Sequence, residues 1–202
     1  MDDKKLFILS FINDKSVSLQ MYKIQASLIV QFLLCIYCEF FKAKIYMTKD
    51  LIKLLIIEYQ NYVTQVDLVY RDIEFMDGLN YVFVGLRHAG KSYLMFQRIA
   101  QLIKQGHKRE EILYFNFEDD RIDSLDVSDL DLIKTCYEEM YDCRPVFFLD
   151  EVQLVDRWEK FARRLADQKY QVYITGSNAK MLSSEIATTL GGRYMIHEVY
   201  PY

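Results

Sequence analysis

The octapeptide Gly85-Leu86-Arg87-His88-Ala89-Gly90-Lys91-Ser92 constrains this chain more than any other stretch, because of what flanks it. Before it runs Tyr81 to Val84, short and apolar; after it Met95, Ile99 and Ile103 recur at helical spacing until Gly106. A strand must therefore pass through a glycine-framed loop straight into a helix. The octapeptide is a full match to G-x-x-x-x-G-K-[ST]. Its glycines let successive backbone N–H groups converge on one point, and the helix N-terminus adds the positive end of its dipole, so the loop reads as a phosphate cradle. Lys91 is placed to reach β- and γ-phosphate oxygens, and Ser92 to offer its hydroxyl to Mg²⁺. Gly85 to Ser92 with the following Tyr93 form the candidate nucleotide-binding set.

From Gly78 onward, short apolar runs alternate with amphipathic stretches, the pattern of parallel strands joined by crossover helices. Tyr81 to Val84, Ile112 to Phe117, Val146 to Leu149, Gln171 to Thr175 and Arg193 to Val199 are the expected strands. Expected helices run from Ser128 to Tyr141, through Trp158, Phe161, Ala162 and Leu165, and through Leu182, Ile186 and Leu190. The fold class is α/β, a three-layer sandwich on a five-stranded, mainly parallel sheet.

The third run ends in two carboxylates, Asp150 and Glu151. An acidic residue at the tip of a buried strand can hold Mg²⁺ through water, and a second can polarise an attacking water as general base. Asp150 is accordingly the candidate metal residue beside Ser92, and Glu151 the candidate base. A pair of adjacent carboxylates separates this arrangement from nucleotide kinases, whose acceptor is not water.

The first 77 residues contain neither glycine nor proline, which marks a boundary in composition. Residues 1–46 read as an apolar, α-helical N-terminal extension and 47–77 as a helical lead-in to a domain at 78–202. The lead-in starts with Thr48 as cap and carries Leu51, Leu54, Leu55 and Tyr62 on one face. Met47 also reads as a protein start, in which case the extension is not native; nothing in it carries chemistry. Its apolar run, Ala26 to Phe41, is interrupted by Gln31 and Glu39 and falls short of the roughly 20 residues a membrane span needs. Cys35 and Cys38 have the spacing of half a zinc site, but Cys136 and Cys143 stand seven apart and the three histidines are scattered, so the four cysteines read as reduced core thiols, which places the protein in the cytoplasm. The formal net charge of −4 gives no basic field for nucleic acid. Tyr and Phe, 16 and 13 in number, fall in both parts and mark core. Glu118 to Asp131 carries seven carboxylates against Arg121 alone and reads mostly as a solvated face.

GLRHAGKS, YFNFEDDR, FFLDEVQ, ITGSNAKML and LGGRY, in that order, resemble the prokaryotic AAA-superfamily ATP-binding proteins whose ATPase domain precedes a C-terminal domain of unknown function. The resemblance covers about Arg71 to Tyr202. It implies a P-loop NTPase sheet in which the fourth strand lies between the first and third, with GLRHAGKS as Walker A and Asp150-Glu151 as Walker B. Ser177 and Asn178 are then similar to a sensor that orients the lytic water, and they also read as a helix cap. Arg193 resembles an arginine finger reaching a neighbouring subunit's phosphates, with a structural ion pair as the alternative. Asn116, Glu118 and Asp119 match a family motif of no derived role, and His88 stands at a variable position. The family's C-terminal region would begin where this chain stops, so the resemblance implies a truncated chain or a module working with a separately encoded partner or as a homo-oligomer.

Mg²⁺-dependent ATP hydrolysis coupled to a target is thus the function expected, with Glu151, Lys91, Ser177, Asn178 and Arg193 as the catalytic set. An ATP-binding switch with little turnover and a membrane-tethered adaptor are the alternatives.

Overall fold

The computed structural model describes residues 49–122, 127–177 and 188–201. The chain divides into two units between Thr48 and Lys49, and all described residues belong to the second. The apolar run at 26–41, Cys35, Cys38, the Thr48 cap, Leu182 and Ile186 lie outside the described residues.

Five strands form one sheet: β1 (Asn80–Val84), β2 (Ile112–Asn116), β3 (Val146–Asp150), β4 (Val172–Gly176) and β5 (Tyr194–Glu198). Their order is β2-β3-β4-β1-β5, and all four pairings are parallel. The fourth strand does lie between the first and third. Every residue of β1, β3 and β4 is buried, as continuous apolar runs covered on both faces require. The edge strand β5 is different, with Met195 and Ile196 exposed.

Among the described residues, helices α1 (49–63), α2 (Lys91–Lys104), α3 (Val127–Met140) and α4 (Trp158–Asp167) accompany the sheet, and residues 188–190 are helical too. Helix α2 buries Met95 and Ile99 and ends in a Schellman turn, where His107 N–H bonds Leu102 O at 3.0 Å and Gly106 N–H bonds Ile103 O at 3.1 Å. Gly106 stands there at φ 103°, a left-handed backbone that suits glycine. Helix α4 buries Trp158, Phe161, Ala162 and Leu165, the stripe its spacing predicts.

The lead-in departs from expectation in two ways. Residues 66–76 have no regular secondary structure, so the helix stops well short of 77. Its buried stripe is Ile52, Leu55, Ile56, Tyr59 and Val63, while Leu54 and Tyr62 are exposed and Leu51 only half-buried. The helix is apolar nearly all round, and the neighbour it meets chooses the face. That neighbour is the β2 edge: Gln60 Nε2 donates to Ile112 O at 2.9 Å, and Tyr59 stands edge-on to Tyr114 and Phe115. These α1 residues share one core with the sheet.

The aromatic residues serve as core. Tyr81 of β1 stacks on Tyr173 of β4, and Tyr173 on Phe148 of β3, at 5.7 and 4.7 Å between ring centres. Cys136 is buried and burial pushes its thiol up, while Cys143 lies 3.1 Å from the Tyr137 hydroxyl. Both are free thiols, Cys136 buried and Cys143 half-buried.

Candidate functional site

Strand β1 delivers the chain to Gly85, where a Cβ would come 2.2 Å from Val199 O. The approach is that close because Val199 N–H continues the β5 pairing onto Val84 O at 2.7 Å. Only glycine lets the loop leave the sheet there. The loop then turns through His88 at φ 62° and Gly90 at φ 88°, both left-handed, and enters α2 at Lys91. Leu86, Arg87 and His88 face solvent, Ala89 is buried, and Tyr93 is half-exposed against Phe96. No carboxylate occupies the first turn of α2, so its N-terminal dipole is left for an anion.

The loop is braced from outside by Arg71. Its guanidinium donates to Ala89 O at 2.7 Å and to Tyr200 O at 2.9 Å, and its backbone exchanges two bonds with the Gln97 side chain. A cavity of about 290 Å³ opens beside this brace, with Ile73, Leu94, Val199 and Tyr200 in its walls.

Lys91 is 4% exposed, and its ammonium lies inside the loop, 3.1 Å from Leu86 O and 3.4 Å from Gly85 O. The same Nζ stands 3.4 Å from Glu151 Oε1. Asp150, 3% exposed, accepts hydrogen bonds from Tyr114 of β2 at 2.5 Å and from Thr175 of β4. Burial raises the Asp150 pKa above the usual carboxylate value, with hydrogen bonds from Thr175, Tyr114 and Ser92 working against it. Thr175 also accepts from the Glu151 N–H at 2.8 Å and so ties both acids to the tip of β4.

Glu151 itself has a left-handed backbone at φ 54°. Its Oε2 accepts from Ser177 Oγ at 2.9 Å and from Gln153 Nε2 at 2.6 Å. Burial opposes ionisation, yet the bonds from Gln153 and Ser177 and the Lys91 charge outweigh it and hold the pKa below the ordinary glutamate value.

Lys91, Ser92, Asp150, Glu151 and Ser177 are therefore brought together, while Asn178 lies outside the described residues. Arg193 is not brought to them. It precedes Tyr194, which pairs with Asn80 at the start of β1, whereas the loop follows Val84 at its end. With a rise of about 3.3 Å per residue, roughly 15 Å of sheet separates them. Arg193 Nε is instead paired with Asp167 Oδ1 at 2.6 Å.

The motif at the end of β2 has a structural explanation. Asn116 Oδ1 accepts from Glu118 N–H at 3.0 Å, and Glu118 pairs with Arg87 of the loop. Asp119 accepts from Tyr59 at 2.6 Å and from Arg121, which also reaches Glu58 at 2.7 Å, tying β2 to α1. The acidic stretch is thus partly consumed in ties.

Three contacts escape a reading of the sequence alone: Tyr114, Thr175 and Gln153. Thr175 and Gln153 leave a faint signal, a hydroxyl inside an apolar run and an amide following the acidic pair.

Among the described residues no cluster of three or more His, Cys, Asp or Glu could hold a metal by itself. One hydroxyl and one carboxylate, Ser92 and Asp150, do fit Mg²⁺, which keeps its waters and takes phosphate oxygens for the rest. No helix among them is long and apolar enough to cross a membrane.

Known proteins similar to this chain include two relatives in sequence and two solved structures. The chain is 38% identical over 136 residues to an uncharacterized protein of Methanocaldococcus jannaschii, covering 66% of this chain and 30% of that one. It is 36% identical over 149 residues to an uncharacterized protein of Haemophilus influenzae, covering 70% and 35%. The chain thus spans about a third of the length of these curated relatives. Among solved structures it is similar to a DNA polymerase III gamma subunit-related protein of Thermotoga maritima, with a TM-score of 0.43, 10% identity and 73% of this chain against 46% of that one. The DnaC helicase loader gives 0.39 and 15%, over 71% and 86%. A family model described as AAA domain matches residues 79–202, and the chain belongs to that family of P-loop nucleotide-binding ATPase domains.

Proposed function

We propose that the chain binds Mg²⁺-ATP and hydrolyses its β–γ phosphoanhydride bond to drive a conformational change in a target. The observation that carries this is the convergence of Lys91 Nζ and Glu151 Oε1, 3.4 Å apart at the foot of the loop. A phosphoryl group entering the loop would meet this buried ammonium and the carboxylate of a neighbouring strand tip together. The loop N–H groups and α2 dipole bind the phosphates, and Lys91 transfers its charge from Glu151 to the γ-phosphate. Ser92 and Asp150 would hold Mg²⁺, which supplies charge neutralisation on the β- and γ-oxygens. The base and ribose lie in the cavity walled by Ile73, Leu94 and Tyr200. Glu151 takes one proton from a water whose oxygen bonds the γ-phosphorus; the bond to the β-bridging oxygen breaks and ADP leaves with that electron pair. Ser177 and Asn178 orient the water, and Arg193, remote from its own loop, contacts the phosphates of a second copy.

Hydrolysis is tested with Glu151→Gln and Lys91→Ala. The first keeps ATP affinity and loses phosphate release, because geometry survives while the base is gone, a change of at least about a hundredfold. Lys91→Ala loses binding. Full turnover in Glu151→Gln would remove Glu151 from the chemistry. One observation favours the switch alternative: Glu151 is already held by Lys91, Gln153 and Ser177. Tight binding without single-turnover hydrolysis would establish it.

A further inference from the structure

Gln153 lies in the 3₁₀ turn Val152–Leu154 that follows Glu151, and its side chain folds back onto the carboxylate. Nε2 donates to Glu151 Oε2 at 2.6 Å and lies 3.3 Å from Ser177 Oγ. At its other end, Oε1 is the one buried side-chain oxygen or nitrogen among the described residues with no hydrogen-bond partner. A buried amide normally satisfies both ends. Turning this one over would pair Oε1 but set it against a carboxylate oxygen, so the charge-assisted bond fixes the orientation and leaves the carbonyl unpaired.

The two oxygens of Glu151 consequently have different surroundings. Oε2 is tied to the turn and to the tip of β4, through Gln153 and Ser177. Oε1 faces Lys91 of α2. Asp150 of β3 is the adjoining residue, and the Glu151 charge acts on it. When a triphosphate draws Lys91 away, Oε1 is released and Oε2 stays tied.

We propose that Gln153 is a positioning residue for Glu151, anchoring Oε2 so that Oε1 alone is presented to the attacking water once Lys91 has turned to the phosphates. This rests on the hydrolytic role given to Glu151 above. Water then passes its proton to Oε1 as its oxygen bonds the γ-phosphorus, and the proton leaves Glu151 with the phosphate product. Ser177 by itself leaves the carboxylate free to swing about one bond; the amide supplies the second point that stops the swing.

The test uses the full chain with Gln153→Ala and Gln153→Glu, three readouts and a thermal melt to certify folding. Gln153→Ala is expected to keep its Mg²⁺-ATP dissociation constant and lose roughly a hundredfold in kcat, the scale of a misplaced catalytic group. Gln153→Glu is worse than Gln153→Ala at pH 8 and recovers toward it at pH 5, where the new acid can donate. In nucleotide-free protein at pH 8, NMR finds the Gln153 side-chain amide protons exchanging slowly in the parent and faster in Glu151→Ala, where their acceptor is gone. An unmoved kcat in a folded Gln153→Ala, or an amide exchange unmoved by Glu151→Ala, overturns the proposal. A parent chain that does not hydrolyse ATP overturns the hydrolytic role of Glu151 instead, and the amide exchange still decides whether Gln153 is bonded to the carboxylate.

Discussion

The two ends of strand β1 are built on opposite principles. At its start, Asn80 Oδ1 accepts from Val172 N–H at 2.9 Å, and charged groups nearby meet in pairs with at least one exposed partner, Arg98 with Asp77 and Arg193 with Asp167. At its end, Lys91, Asp150 and Glu151 are drawn inside together, and one backbone in the group is left-handed without being glycine. The first end buries a single charge, Arg98, and satisfies it with the Tyr173 hydroxyl and the exposed Asp77. The second gathers an ammonium and two adjacent carboxylates at one point, an arrangement that packing alone would not select. The difference separates a support from a working surface.

The largest effect is expected at Gly85. Gly85→Ala puts a methyl carbon against Val199 O, 2.2 Å from its ideal position, and must prise the end of β5 from β1. A loss of about 2 kcal/mol or more in urea unfolding is expected. A melt unchanged from the parent would mean that the two backbones are not in contact.

Asp150 comes next and has the opposite sign. Its pKa is raised, chiefly by burial, so the protonated form favours the folded state and that stability is lost as pH rises through the folded pKa. Asp150→Asn removes the charge while the Tyr114 and Thr175 hydroxyls turn to suit an amide. At pH 7 it should be more stable than the parent by about 1 kcal/mol, with the gap closing at low pH, and it should lose Mg²⁺-dependent turnover. A less stable variant at pH 7 would deny that this end of the sheet sacrifices stability.

Smaller effects belong to the other end. Arg193→Ala opens a partly exposed ion pair with Asp167 and should cost less than about 1 kcal/mol, with ATP affinity of the single chain unchanged. Any loss of hydrolysis should appear only at concentrations where copies associate; a loss independent of dilution would place Arg193 in its own chain's chemistry. The smallest change concerns Glu139, in the last turn of α3, whose carboxyl is held down to about 2 by hydrogen bonds from Lys49 and Lys53. Its contribution is present above the ordinary glutamate pKa and lost as pH falls from there through about 2. Glu139→Gln should flatten the acid limb of the melting profile in that window, and an unaltered profile would show the exposed lysines to be idle.

How legible each end was in the sequence follows from the range of the interactions. The strands and the phosphate loop are local patterns, readable from Tyr81 to Ser92 without knowing what lies beside them. Thr175 and Gln153 gain their roles from the adjacency of β3 and β4, which places the Glu151 N–H 2.8 Å from a hydroxyl 24 positions away. The lead-in helix misled because Leu54 and Ile52 belong to equally regular stripes, and only the β2 edge selects between them. Arg193 carries no mark of its distance from Lys91; the parallel register of β5 on β1 sets that distance.

Arg71 has a mechanical consequence. One guanidinium grips the phosphate loop at Ala89 O and the strand exit at Tyr200 O, and Val199 lies against Gly85 beside it. Loop and exit segment therefore behave as two arms on one pivot. A pull on Tyr200 is felt at the phosphates and a tightening of the loop is felt at Tyr200, in equal free energy by reciprocity.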